Sequence, residues 1–174
     1  DASAADILSV AFEPNEESIL TANADGKINK WILVPQKYLQ GSIWTHTGSA
    51  NAVAISSDGT KAVSGGDDKI TRLFDYETLT DLIDRGEHTG AVNAVTFSPD
   101  SGLVLSGSSD RTAKMWSSPS GRILRTFFGH EGAVLSVAFN KNMTRVLTGS
   151  SDGTARIWEK TTARELLVLN VGSS

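Results

Sequence analysis

The chain has 174 residues, 39% of them hydrophobic, a net charge of −4 and no cysteine. The length and apolar content suffice for the core of one domain, and the missing cysteines exclude disulfides and thiolate metal sites. No apolar run reaches the roughly 18 residues of a membrane-spanning helix, and the acidic balance, with both signs interspersed, argues against a dedicated nucleic-acid surface. Residues Asp1 to Asp6 lack the basic and apolar parts of a secretion signal. Together with the absent cysteine this points inside the cell, the cytoplasm first, with nucleus and cilium as alternatives. The chain does not begin with Met, which reads as processing or as a piece of something longer.

In chain order, Ile7–Phe12 alternates apolar and small residues, the period-two signal of a strand. Pro14 to Glu17 is a turn, and Ser18–Ala22 is a second short strand. Asn23-Ala24-Asp25-Gly26 is a tight turn of residues that favour one. A third strand runs over Lys27–Leu33 and is closed by Pro35, and a fourth over Tyr38–Trp44 leads to His46. The plan then repeats. First strands are expected over 50–55, 91–97 and 133–139, and second strands over 61–64, 103–106 and 145–148. Third strands are expected over 70–74, 112–116 and 154–158, and fourth strands over 80–84, 122–128 and 164–170. No stretch has useful helical periodicity, so the chain reads as all-β.

The repeat is visible in single residues. His46, His88 and His130 are the only histidines and stand 42 apart. Asp25, Asp68, Asp110 and Asp152 follow at spacings of 43, 42 and 42, each Asp six residues before an aromatic: Trp31, Phe74, Trp116, Trp158. A period near 42 marks a repeat array. The repeats divide at about 3–45, 46–87, 88–129 and 130–174. The third carries His88-x-Gly90, Phe97-Ser98-Pro99-Asp100, Ser106-Gly107-Ser108-x-Asp110 and Trp116. The fourth carries Gly129-His130, Ser150-x-Asp152-Gly153 and Ile157-Trp158. In combination these residues resemble the WD40 repeats of the β-propeller class. The resemblance covers essentially the whole chain and implies four four-stranded antiparallel blades set radially, as part of a seven- or eight-bladed ring.

The resemblance also implies a buried relay of turn His, second-strand Ser or Thr, turn Asp and Trp indole. Carried over, it is His88, Ser106, Asp110 and Trp116 in repeat three, and His130, Thr148, Asp152 and Trp158 in repeat four. Repeat two offers His46, Ser64 and Asp68, with Phe74 in place of Trp. Repeat one offers Thr21, Asp25 and Trp31, with Ser3 where His is expected. His, Ser and Asp together invite a hydrolase reading. Recurrence every 42 residues argues instead for packing, because a triad occurs once. Asp67-Asp68 beside Gly65-Gly66 reads as a solvated turn rather than a cation site, and Asn142-Met143-Thr144 is a formal glycosylation sequon on a loop. No cofactor, metal or small-molecule substrate is expected.

Four whole repeats leave no spare strand to clasp a ring, so two sheet faces should be open. Further blades, a second copy, or closure of the four blades alone are the three solutions. Fold alone does not give function. The resemblance implies a non-catalytic scaffold that binds protein or peptide partners on the face carrying the His and Asp turns, as one subunit of a larger assembly. On that face stand Asp67, Lys69, Arg111 and Glu131, beside Thr47, Thr89 and Ser109. The outer strand offers Arg122, Arg125 and Phe127 as a second surface. The alternative is contact with nucleic acid or ribonucleoprotein through a local basic patch of Arg122, Arg125 and Lys114. An enzyme is the third reading.

Overall fold

The computed structural model describes residues 5–33, 38–85 and 88–170. Sixteen strands form four sheets of four, each a simple antiparallel meander in chain order. The first sheet is β1 (Ile7–Phe12), β2 (Ser18–Asn23), β3 (Lys27–Ile32) and β4 (Tyr38–Trp44). The second is β5 (Ala50–Ile55), β6 (Lys61–Gly66), β7 (Thr71–Asp75) and β8 (Asp81–Arg85). The third is β9 (Val92–Phe97), β10 (Leu103–Ser108), β11 (Ala113–Ser117) and β12 (Ile123–Phe127). The fourth is β13 (Val134–Phe139), β14 (Arg145–Ser150), β15 (Thr154–Glu159) and β16 (Glu165–Asn170). The all-β, four-bladed architecture expected from the sequence is the architecture observed.

The register repeats as the sequence does. A bulge falls just before each of Trp31, Phe74, Trp116 and Trp158, where the third strand pairs with the fourth. Such bulges increase local twist, and here they skew the outer strand of every blade alike. Because each sheet is a meander, its turns alternate ends. The Asp turns, between second and third strands, therefore share one end with the His loops that lead to the next sheet. The turns after the first and third strands lie at the other end.

The cores sit between sheets, and each sheet has two different faces. Leu20, Ala22 and Ile28 of the first sheet pack against Val53, Ala62 and Phe74 of the second. Val63 and Leu73 of the second meet Phe97, Val104 and Trp116 of the third. Leu105, Ala113, Met115 and Phe127 of the third meet Val134, Val146 and Trp158 of the fourth. In the first two seams aliphatic residues receive Phe74 or Trp116 of the next blade, and in the third Phe127 packs against Trp158. No core cluster joins the first sheet to the fourth among the described residues. Phe12 on the first sheet is 66% exposed and Leu167 on the fourth 47%, so the four blades form an open arc.

Glycine at the inner seams permits this packing. A Cβ on Gly65 would stand 2.4 Å from Val92 Cγ1, and one on Gly107 would stand 2.8 Å from Val134 Cγ1. In the second and third blades the second strand approaches the next blade so closely there that a side chain would push the blades apart, whereas the first blade accommodates Ala22 at the same register.

Candidate partner-binding face and its hydrogen-bond networks

In the third blade, His88 Nδ1 is 2.7 Å from Asp110 Oδ2, and His88 Nε2 is 2.8 Å from Ser106 Oγ. The Trp116 indole N–H donates to the same Ser106 Oγ at 2.8 Å. With a neutral imidazole one assignment satisfies every atom. The indole donates to the hydroxyl, the hydroxyl to Nε2, and Nδ1–H to the carboxylate. The Asp110 carboxylate also accepts the Thr89 N–H at 3.0 Å, the Thr112 N–H at 3.0 Å and the Thr112 hydroxyl at 2.6 Å. Burial alone would raise its pKa. The Thr112 and His88 hydrogen bonds, with the Thr89 N–H, outweigh that and hold it at about 2.

The fourth blade repeats the pattern. His130 Nδ1 lies 2.8 Å from Asp152 Oδ2 and Nε2 lies 2.7 Å from Thr148 Oγ1, which accepts the Trp158 indole N–H at 2.9 Å. Against the opposing effect of burial, hydrogen bonds from Thr154, His130 and Glu131 N–H hold the Asp152 carboxyl far below the usual carboxylate range.

The second blade keeps His46 Nδ1 at 2.7 Å from Asp68 Oδ1 and Nε2 at 2.9 Å from Ser64 Oγ. Phe74 supplies no indole donor. Arg72, which the sequence reading did not single out, adds a guanidinium bond to Asp68 Oδ2 at 2.7 Å. Burial lowers the His46 pKa, the Arg72 charge lowers it further, and the bond to Asp68 opposes both. In the first blade the Trp31 indole donates to Thr21 Oγ1 at 3.2 Å. Asp25 pairs instead with the Lys27 ammonium at 3.0 Å. Ser3, at the expected His position, lies outside the described residues.

Ser64, Ser106 and Thr148 are wholly buried. Each hydroxyl is shut inside its sheet seam, out of a substrate's reach, so the His–hydroxyl–Asp sets tie turns to strands and are not poised as nucleophiles. No group of three or more metal-ligating side chains comes together among the described residues.

Asp67, Lys69, Arg111 and Glu131 are all exposed at the end carrying the His and Asp turns, as are Thr47, Thr89 and Ser109. Asp67 is tied down by the Asn51 amide at 2.9 Å and the Ser49 N–H at 3.2 Å. Asn51 also donates to the Val92 carbonyl of the next blade at 3.2 Å, and Asn93 to the Val134 carbonyl at 3.0 Å. Neither asparagine belongs to the repeated motif in the sequence. A polar residue at the same register of two first strands was the available signal.

Lys69 and Arg111 have positive φ, 70° and 71°. They occupy the turn position held by Gly26 and Gly153 in the outer two blades, where φ is 86° and 82°. The outer-strand surface needs a correction. Phe127 is buried in the seam with the fourth blade, and the exposed aromatic is its neighbour Phe128, 71% exposed. Arg125 donates to the Thr161 carbonyl of the fourth blade, so this member of the basic patch is already engaged between blades.

The family model described as "WD domain, G-beta repeat" matches residues 2–31, 37–75, 81–117 and 121–159. The chain belongs to the WD repeat family. The WD repeat unit is one strand out of step with the sheets: the match at 37–75 takes β4 of the first blade with β5 to β7 of the second. The matches at 37–75, 81–117 and 121–159 therefore each lace two blades together.

Over 73 residues the chain is 37% identical to eukaryotic translation initiation factor 3 subunit I of Culex quinquefasciatus, covering 42% of this chain and 22% of that protein. It is 32% identical over 69 residues to cilia- and flagella-associated protein 52 of Chlamydomonas reinhardtii, covering 40% of this chain and 11% of that one. These alignments span less than a quarter of the curated relatives' length. The solved structure of U3-55K superposes with a TM-score of 0.88 at 24% identity, over 98% of this chain and 53% of that one. That likeness shows the fold.

Proposed function

We propose that this chain is an arc of a larger WD propeller, a non-catalytic scaffold whose His- and Asp-turn face docks protein or peptide partners. One observation carries the docking face. Lys69 and Arg111 stand on neighbouring blades in a left-handed conformation that costs a side-chain-bearing residue roughly 1–2 kcal/mol. Glycine fills the same position in the other two blades. The same backbone conformation recurs in turns at the other end of the arc, at Glu16, Leu79, Ser101, Met143 and Ala163; what sets Lys69 and Arg111 apart is that exposed cations replace glycine on two neighbouring blades of the His- and Asp-turn face. The relatives support membership of an assembly, since one is named as a subunit of a translation initiation factor and another as associated with cilia and flagella. They also support a place inside the cell, the cytoplasm first. Arg125, one of the three cations on which the nucleic-acid reading rests, is engaged between blades, which weakens that reading.

Further blades would complete the ring. The exposed Val10 and Phe12 at one end of the arc and the exposed Leu147, Leu167 and Leu169 at the other are apolar surfaces of the kind that pair in the internal seams. The 53% coverage of a solved propeller leaves room for the rest. The deciding experiment replaces Lys69 and Arg111 together by glycine in the intact protein. The melting temperature should hold or rise, while recovery of the native assembly on the tagged protein should fall. An assembly recovered unchanged would overturn the reading.

A further inference from the structure

The repeat supplies its own baseline, and one seam departs from it. After each first strand comes a short turn whose opening residue is Ser56, Ser98 or Asn140 in the second, third and fourth blades. Those side chains close their own turns. Ser56 Oγ and Ser98 Oγ each donate to an aspartate at 2.6 Å and accept the N–H of Lys61 or Leu103 at 2.9 Å. Asn140 Oδ1 accepts the N–H of Thr144 at 2.9 Å and of Arg145 at 2.8 Å. The first blade has Glu13 at this position. Its backbone N–H makes the same turn bond, to the Ser18 carbonyl at 3.0 Å. Its carboxylate takes no part in the turn and has no hydrogen-bond or ion-pair partner among the described residues. Glu13 is nevertheless only 9% exposed. Its Oε1 lies against Gly59 of the second blade, 3.4 Å from where a Cβ would stand.

Lys30 is the second departure. It occupies the place of Leu73, Met115 and Ile157, facing the next blade. Its side chain is almost wholly buried, and its ammonium is met by the Tyr76 carbonyl at 3.3 Å, Glu77 Oε2 at 2.9 Å and the Tyr76 ring at 4.2 Å. Tyr76 in turn bonds Ser18 Oγ at 2.6 Å. Glu13, Lys30, Tyr76 and Glu77 line a cavity of about 280 Å³ between the first two blades, with Glu17 also on its wall and Ile32 as an apolar wall. Lys30 is paired with Glu77, so among the described residues Glu13 and Glu17 have no cationic partner in the cavity. A cationic side chain entering beside them would supply the missing partner, and the apolar wall would receive its methylene stem.

We propose that this cavity is a docking site for a single lysine or arginine side chain of a partner protein. It opens at the end of the arc opposite the His and Asp turns, so it is a second site that does not rest on the first. The test uses the intact ¹⁵N-labelled protein and the tripeptide acetyl-Gly-Arg-Gly-amide, with its lysine and citrulline counterparts. The arginine or lysine peptide should shift the amides of Glu13, Glu17 and Gly59 saturably, and the neutral citrulline peptide should not. Glu13→Gln should weaken the binding about tenfold, the loss expected when one charge-assisted bond becomes neutral. Glu17→Gln, at an exposed position, should weaken it less. The melting temperature of Glu13→Gln should hold or rise, because the removed charge has no partner among the described residues. Absent shifts, equal binding of citrulline, unchanged affinity of Glu13→Gln, or a lower melting temperature of that variant would each overturn the proposal. Glycine at 69 and 111 should leave the tripeptide affinity unchanged, which separates failure here from failure at the other face.

Discussion

At the scale of single residues, Asp110 shows what a relay residue does for the blade. Its carboxylate accepts bonds from one loop, one turn and one buried imidazole. Removing it strands those donors, so Asp110→Ala should lower stability at neutral pH by about 1–3 kcal/mol. The sign of the pH dependence follows from its depressed pKa. Between the folded value of about 2 and the ordinary 3.8, the unfolded chain binds the extra proton. The contribution is therefore full above pH 4 and is lost as the pH falls through 2. Denaturant titrations of parent and variant should show a gap at pH 7 that narrows between pH 4 and pH 2. A gap independent of pH would refute the assignment. His46 works in the same direction at higher pH, since its lowered pKa favours neutral imidazole in the folded state.

At the scale of elements, the seam between second strand and next blade is the tightest joint. Val92 stands so close to Gly65 that the two blades share one packed surface. Gly65→Ala gains a better strand residue but forces the seam open, and overpacking of this kind typically costs about 1–3 kcal/mol. Gly153, where a Cβ would meet nothing within 4 Å, is the counterpart for its steric cost, although its φ of 82° adds strain of a different kind. Thermal melts should show the larger loss at Gly65. A Gly65→Ala protein as stable as the parent would mean the blades slide more freely than the packing indicates. The placement of the repeat explains why a seam matters so much. The last three WD units each contribute one outer strand to one blade and three strands to the next, so separating two blades strains a covalent unit as well as a core.

At the scale of the whole molecule, the open arc governs behaviour. Val10 and Phe12 at one end and Leu147, Leu167 and Leu169 at the other are exposed. Large apolar faces of this kind associate, and repeat arrays bury their cores only against neighbours. The 174-residue chain on its own should therefore self-associate. Light scattering after size exclusion should give a mass well above 18.5 kDa, and Phe12→Asp should lower that mass without lowering the melting temperature of the internal blades. A parent chain that stays monomeric at high concentration would show that the arc needs no cover.

The residues settled a good deal by themselves. Regular spacing of His46, His88 and His130 and of the four Asp, with a turn-forming residue at every strand end, dictates short strands in four equal meanders. Local chemistry suffices there, because strand period and turn preference act over a few residues. The relay positions were legible for the same reason: a constellation repeated at one period stands out against everything else. What lies between the repeats was not legible. Arg72 reaching into the His46–Asp68 pair, Phe127 inside a seam while Phe128 is outside, and Glu13 turned into a cavity beside Lys30 are all decided by how one blade leans on the next. A bulge before each Trp31-type residue shifts which side chains of the outer strand face inward, and neighbouring blades decide which polar groups find partners. Periodicity records what every blade shares; the positions where one blade differs acquire meaning only when the adjoining sheet is in place.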